Sequence, residues 1–179
     1  MSSTTPSLAK SATTGAVAGL AASMAMAMYA MLAAWHQGHG FFAPLFHIAS
    51  LFISPNAMNT AMQDAMMGKD FYFTFGPAVL GAIIHMMTGL MFGAIFGVVA
   101  AKANLKGMAL IVAGAVYGVI VFALSAYVGL PLAAAIFNSG DQISHMPRMA
   151  GWTTFLIEHV IFGLALGMMA LPLARRAAR

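Results

Sequence analysis

Two histidines carry the most specific spacing in this chain. His85 is followed by Gly89 and Gly93, and His159 by Gly163 and Gly167, so the pattern His-x3-Gly-x3-Gly occurs twice. Each histidine lies well inside an apolar run, roughly 12–14 Å along the axis if the run is a helix rising 1.5 Å per residue. Polar groups at that depth in a bilayer are costly and by default suggest function. Two imidazoles at one depth, each followed by glycines one turn apart, could ligate a single b-type haem from both sides. A metal ion or a proton relay would use the same pair. The competing reading is structural: each imidazole bonds to a carbonyl or hydroxyl across a helix bundle, with Thr88 and Thr154 close in sequence. Glu158 adjoins His159, but helix neighbours point about 100° apart, so the two do not face one target squarely. A carboxylate that deep is either protonated, and able to handle protons, or paired with a donor such as Tyr117, Ser125 or Tyr127.

A second group of candidates lies between the apolar runs. His36, His39, His47 and His145 fall in the same connecting regions as Met58, Met62, Met66, Met67, Met146 and Met149. Imidazole and thioether groups suit copper(I). His36-x2-His39 sets two ligands near the end of a helix, and Met58, Met62 and Met66 share a helical stripe. Methionine is also ordinary filler in apolar cores, and the chain has 17 of them spread throughout. The stripe therefore reads equally as packing. Asp141, His145 and Arg148 could form a polar cluster or a solvated loop. Ser-x-x-Lys, His-Glu-x-x-His and Gly-x-Ser-x-Gly are absent, as is any phosphate-binding glycine loop outside the apolar runs. Four acids are too few for a carboxylate-bridged di-iron site. The expectation is a protein without catalytic residues, needing no cofactor, with haem b or copper as the alternative.

The elements that position these residues follow from composition. Of 179 residues 61% are hydrophobic and 7% charged, against roughly 25% charged in soluble domains. Four acids and eight bases could not cover a water-soluble fold of this size, so the bilayer must solvate most of the surface. With no cysteine, disulfides, iron–sulfur clusters and thiolate zinc sites are excluded. Four apolar stretches exceed the roughly 20 residues a helix needs to cross the hydrocarbon: residues 12–35, 75–101, 107–137 and 152–173. Pro131 is expected to kink the third or end it early. The fold class is an all-α membrane protein, a four-transmembrane-helix bundle with short interfacial helices in its first outer loop. An N-terminal tail covers residues 1–11. A first helical hairpin spans 12–101, with an insertion at about 36–74, and 102–106 form a tight turn. A second hairpin spans 107–174, and a basic tail follows at 175–179. Within the insertion, Phe41 to Ile53 is apolar but too short to cross, so it is expected to lie flat at the outer interface or to dip in as a re-entrant piece. Ser54 and Pro55 read as the cap and first position of a further short helix, stopped by Gly68.

Lys10, Lys102, Lys106, Arg175, Arg176 and Arg179 fall on one side and Lys69 and Arg148 on the other. The positive-inside rule puts both termini in the cytoplasm. The net charge of +4 then points to anionic lipid headgroups rather than nucleic acid. The first run exceeds the apolar core of a signal peptide, so it reads as an uncleaved helix, although Ala-x-Ala patterns within it leave cleavage open.

The halves resemble one another. Gly15-x3-Gly19 precedes the first histidine motif and Gly114-x3-Gly118 the second, which suggests a duplicated two-helix unit with an axis along the membrane normal. With Gly97, these glycines form small-residue stripes that let helix backbones approach in lipid. A flat seat for a planar cofactor or a partner's helix is the sharper reading of the same stripes. The order of Phe41-Phe-Ala-Pro-Leu-Phe-His47, the His85-x3-Gly stretch and Phe155-Leu-Ile-Glu-His159-x3-Gly163 resembles that of a group of bacterial four-span inner-membrane proteins without an agreed activity. It is more faintly similar to the YagU-like proteins, which also carry a histidine in their second and fourth spans. The resemblance implies a multi-pass protein of a bacterial inner membrane, free-standing, homo-oligomeric or within a larger membrane complex. It supplies no catalytic residue. A small proton-linked transporter or channel using Glu158 is the remaining alternative.

Overall fold

A computed structural model describes residues 7–177 of the chain, with side chains as far as Ala170. Its order is α1 (Leu8–His36), α2 (Ala43–Ala49), α3 (Asn56–Met66), α4 (Phe75–Lys102), α5 (Met108–Leu124), a π-helical turn (Ser125–Gly129), α6 (Leu130–Phe137), α7 (Asp141–Ser144), α8 (Met146–Ala150) and α9 (Trp152–Ala177). Among the described residues there is no strand. Four helical stretches are long and apolar enough to cross a membrane: Leu8–His36, Phe75–Lys102, Met108–Phe137 and Trp152–Ala170. The four expected spans are therefore present. Their outer faces are apolar, as in Val79, Ile83, Met87, Met91, Ile95 and Val99 of α4, a strict four-residue series of exposed side chains. In water such a stripe would be untenable; in lipid it is the solvated face.

Pro131 does not end the third span. Its ring conflicts with the carbonyl four residues earlier, and it has no N–H to donate. The backbone answers by widening into the π turn at Ser125–Gly129 and resuming as α6, a known way for a helix to absorb such a defect. The span ends instead at Asn138, in the left-handed conformation with φ 51°, whose N–H donates to the Ala134 carbonyl. α3 starts one residue later than expected: Pro55 takes the cap position and Asn56 opens the helix, with no side-chain cap. Gly68, at φ 76°, follows its end.

The chain divides into two compact units, each assembled from separate stretches. Among the described residues, one holds residues 7–26, Met86–Val121 and residues 159–177. In it Ala18 and Ala22 of α1, Phe96 and Ala100 of α4, Leu110 of α5 and Phe162, Ala165 and Leu166 of α9 share one core. The other holds Ala27–His85 and Phe122–Glu158. Here Phe46 of α2 packs with Met58 and Ala61 of α3 and Ala78 of α4. A neighbouring cluster joins Ala126, Ala134, Ile143, Met146 and Phe155. The apolar segment around Phe41–Ile53 is thus a folded element with a buried face. The Leu45 carbonyl of α2 abuts Gly81 so closely that no side chain fits there.

In the first unit the glycine stripes are filled by backbone. A methyl at Gly15 would meet the Gly93 carbonyl and sit 2.7 Å from the Gly97 Cα. One at Gly93 would meet the Gly15 carbonyl and sit 2.6 Å from the Gly19 Cα. The contact is reciprocal, each glycine aiming a Cα hydrogen at the other's carbonyl, a weak bond recurring at tight helix crossings. α5 and α9 repeat it: Gly114 faces the Gly163 carbonyl and the Gly167 Cα, and Gly163 faces the Gly114 carbonyl and the Gly118 Cα. Even the ends agree, with Gly97 against the Ser11 carbonyl and Gly167 against that of Leu110. The flat surfaces expected of these stripes are occupied from within the chain.

Candidate functional site

The glycine contacts set a register that changes the comparison of the two histidines. Gly19 faces the Gly89 carbonyl and the Gly93 Cα, whereas Gly118 faces the His159 carbonyl and the Gly163 Cα. By contact, Gly93 answers to Gly163 and Gly89 to His159. Aligning His85 with His159 by sequence is therefore one helical turn out, about 6 Å of axial rise for four residues. Equal depth for the two imidazoles does not follow from the packing. His159 is buried, His85 partly so, and both are engaged by other residues of the chain. The glycines after each, proposed as a seat for a macrocycle, are closed: Gly89 by Ser23, Gly93 by Gly15 and Gly19, Gly163 and Gly167 by α5.

Glu158 is 7% exposed on the most buried of the four spans. Of its three expected partners, Tyr117 donates its hydroxyl to the Phe92 carbonyl at 2.8 Å. Tyr127 is largely exposed and stacks on Trp152 at 5.7 Å. Ser125 opens the π turn. Thr154, suggested as a partner for histidine, accepts a hydrogen bond from the Gln37 side-chain amide at 2.9 Å.

The proposed copper ligands are dispersed in role. His36 is exposed and His39 partly so. His145 is exposed and lies 3.7 Å from the Asp141 carboxylate, itself almost fully exposed, in a solvated pair that leaves Arg148 out. Met58 is buried in the core beneath α2, Met62 packs on its edge, and Met66 is 81% exposed. Among the described residues no three His, Cys, Asp or Glu side chains gather as a metal site. Of the methionine stripe, Met58 and Met62 pack α3 against its neighbours, and Met66 does not.

His47 is where the structure departs most from its candidate role. It is buried on α2, and its Nε2 lies 2.6 Å from the Gln142 carbonyl. A carbonyl only accepts, so Nε2 carries the proton and donates. Burial pushes the imidazole below its ordinary value of 6.5, and the bond to Gln142 opposes that only in part. The neutral ring clasps α2 to α7. The Ser50 hydroxyl, buried at the end of α2, donates to the His47 carbonyl at 2.6 Å. Sequence reasoning passed over Gln142 and Asp70, which bond to residues distant in sequence within this unit. The Trp35 indole donates to the Asp70 carboxylate at 3.2 Å, and the Phe41 N–H to the Asp70 carbonyl at 2.8 Å. The available signal was the Asn138-Ser-Gly-Asp141 run, a turn sequence between apolar segments.

The chain matches no known protein family, no characterised protein and no solved structure.

Proposed function

We propose that this chain is a non-catalytic multi-pass protein of a bacterial inner membrane, with both termini cytoplasmic, serving as an accessory subunit of a larger membrane complex. One observation carries the reading: spans 8–36, 75–102 and 108–137 bury only 22, 17 and 22% of their most apolar window inside the chain, against 50% for Trp152–Ala170. The glycine contacts are used up internally, while broad faces of Met, Val and Ile point outward, free to meet lipid or partner helices. The repeated contacts of α1 with α4 and of α5 with α9 support descent from a duplicated hairpin. Extraction in a mild detergent, crosslinking in native membranes and sizing test the proposal. A defined heteromeric complex is expected; recovery of this chain alone after crosslinking would refute it.

A second reading has its own observation. Glu158 is buried on the most enclosed span beside the buried His159, the placement expected of a proton site in a small transporter or channel. Proton flux into proteoliposomes, abolished by Glu158→Gln, would favour it; absence of flux, or flux indifferent to the substitution, would remove it.

A further inference from the structure

Between α3 and α4 the chain runs through Phe71-Tyr72-Phe73-Thr74-Phe75. Residues 72–74 form no regular element. Phe71, Phe73 and Phe75 are 60, 51 and 73% exposed, whereas Tyr72 and Thr74 are partly buried. That alternation is the one an extended chain imposes on its two faces. The inner face is tied to the fold, the Tyr72 ring lying 6.0 Å from that of Phe46 beneath α2. The outer rings are held in place as well. Phe71 rests against Trp35 at 5.8 Å and Phe41 at 5.6 Å, and Phe73 against Phe42 at 4.9 Å. Even so braced, three phenyl rings in five residues keep half or more of their surface uncovered.

Two observations say what covers them. The first is continuity. Phe75 opens the α4 span and heads its exposed four-residue series, followed by Val79 and Ile83, so the rings begin where the lipid-facing surface ends. Trp35 lies one residue before the end of the α1 span, and its indole donates to the Asp70 carboxylate next to Phe71. Tryptophan at the end of a span marks the membrane–water boundary. The second is the backbone. Among the described residues no carbonyl accepts the N–H of Phe73 or Thr74. In hydrocarbon such unpaired groups are costly, while in bulk water the row of rings would stay exposed to no gain. Only the headgroup layer serves both, with water and phosphate for the amides and acyl chains for the rings. Lys69, exposed just before the segment, adds a cation for lipid phosphate.

We propose that Phe71–Phe75 is an interfacial lipid anchor. The alternate phenyl rings enter the acyl boundary of the leaflet on this side, the backbone stays among the headgroups, and the α2–α3 insertion is thereby held down on the membrane surface. The anchor requires no other subunit.

The chain has no cysteine, so one introduced thiol can carry a spin label on the full chain in phosphatidylglycerol nanodiscs. Labels at Phe71→Cys and Phe73→Cys are compared with Met87→Cys, on the lipid face of α4, and Asp141→Cys, almost fully exposed beside a charged pair. Oxygen collects in hydrocarbon and a nickel chelate in water. Both test labels should meet oxygen more often than nickel, with a ratio between those of the two references. A ratio equal to that of the Asp141→Cys label places the rings in water and overturns the proposal. Shielding from both reagents, as by a second copy or another protein, overturns it too. Phe73→Trp in a Trp35→Phe, Trp152→Phe background keeps an aromatic ring at the site and reads depth by fluorescence. Lipids brominated near the headgroup should quench it more than lipids brominated at the chain end. The reverse order, or no quenching by either, refutes the anchor.

Discussion

Replacing Gly93 by alanine tests the packing on which the fold depends. The added methyl would lie 2.6 Å from the Gly19 Cα and 2.9 Å from the Gly19 nitrogen, and would collide with the Gly15 carbonyl. Ordinary carbon contacts lie at about 3.5–4.0 Å, so the deficit is about 1 Å. Every opposing atom is backbone, so no rotamer change relieves it and α1 must move away from α4. Overpacking of this kind costs about 1–3 kcal/mol. Separation also weakens the reciprocal Cα–H···O contacts, worth about 0.5–1 kcal/mol each. Against this, alanine gains up to about 1 kcal/mol of helix propensity over glycine. The net expectation is a loss of about 1–3 kcal/mol, read by reversible unfolding in mixed micelles. Gly76→Ala is the control, since nothing lies within 4 Å of its added methyl, and it should be neutral or slightly stabilising. Gly163→Ala, which meets the Gly114 carbonyl and approaches the Gly118 Cα to 2.9 Å, should cost about as much as Gly93→Ala. A Gly93→Ala protein as stable as the parent would refute the close approach.

Because burial lowers the His47 pKa below 6.5, the unfolded state takes up the proton first. The stability that His47 contributes is therefore complete above pH 6.5 and lost as pH falls below it. Amide protection in α2 and α7, measured relative to the intrinsic exchange rate at each pH, should fall between pH 7 and 5, and His47→Gln should flatten that dependence. Pro131→Ala restores an N–H and removes the ring that displaces the Tyr127 carbonyl, so the π turn should relax towards α-helix. In a Trp35→Phe background, Trp152 emission should then shift as its Tyr127 stacking changes; an unchanged spectrum would show that Pro131 does not set the turn. The purified protein should show no Soret band; a band abolished by His85→Ala and by His159→Ala would instead establish the haem reading.

The sequence by itself determined that this is an all-helical chain with four membrane-crossing stretches. The reason is that apolar length is a local property: with 7% charged residues, runs such as 75–101 leave a backbone in lipid no alternative to its own helical hydrogen bonds. It also marked the residues that do the packing, because glycines four apart must share a stripe whatever they meet. What they meet was decided only by the tertiary structure. Registers that differ by one turn present nearly the same stripe, so two His-x3-Gly-x3-Gly motifs invite alignment on histidine. Backbone contact distances instead pair Gly89 with His159. The fate of His47 was equally hidden, since its partner is a backbone carbonyl 95 residues away, and carbonyls leave no trace in residue identity. Ser139 is the converse: a common turn residue in the sequence, made conspicuous only because the fold buries its hydroxyl and offers it no partner.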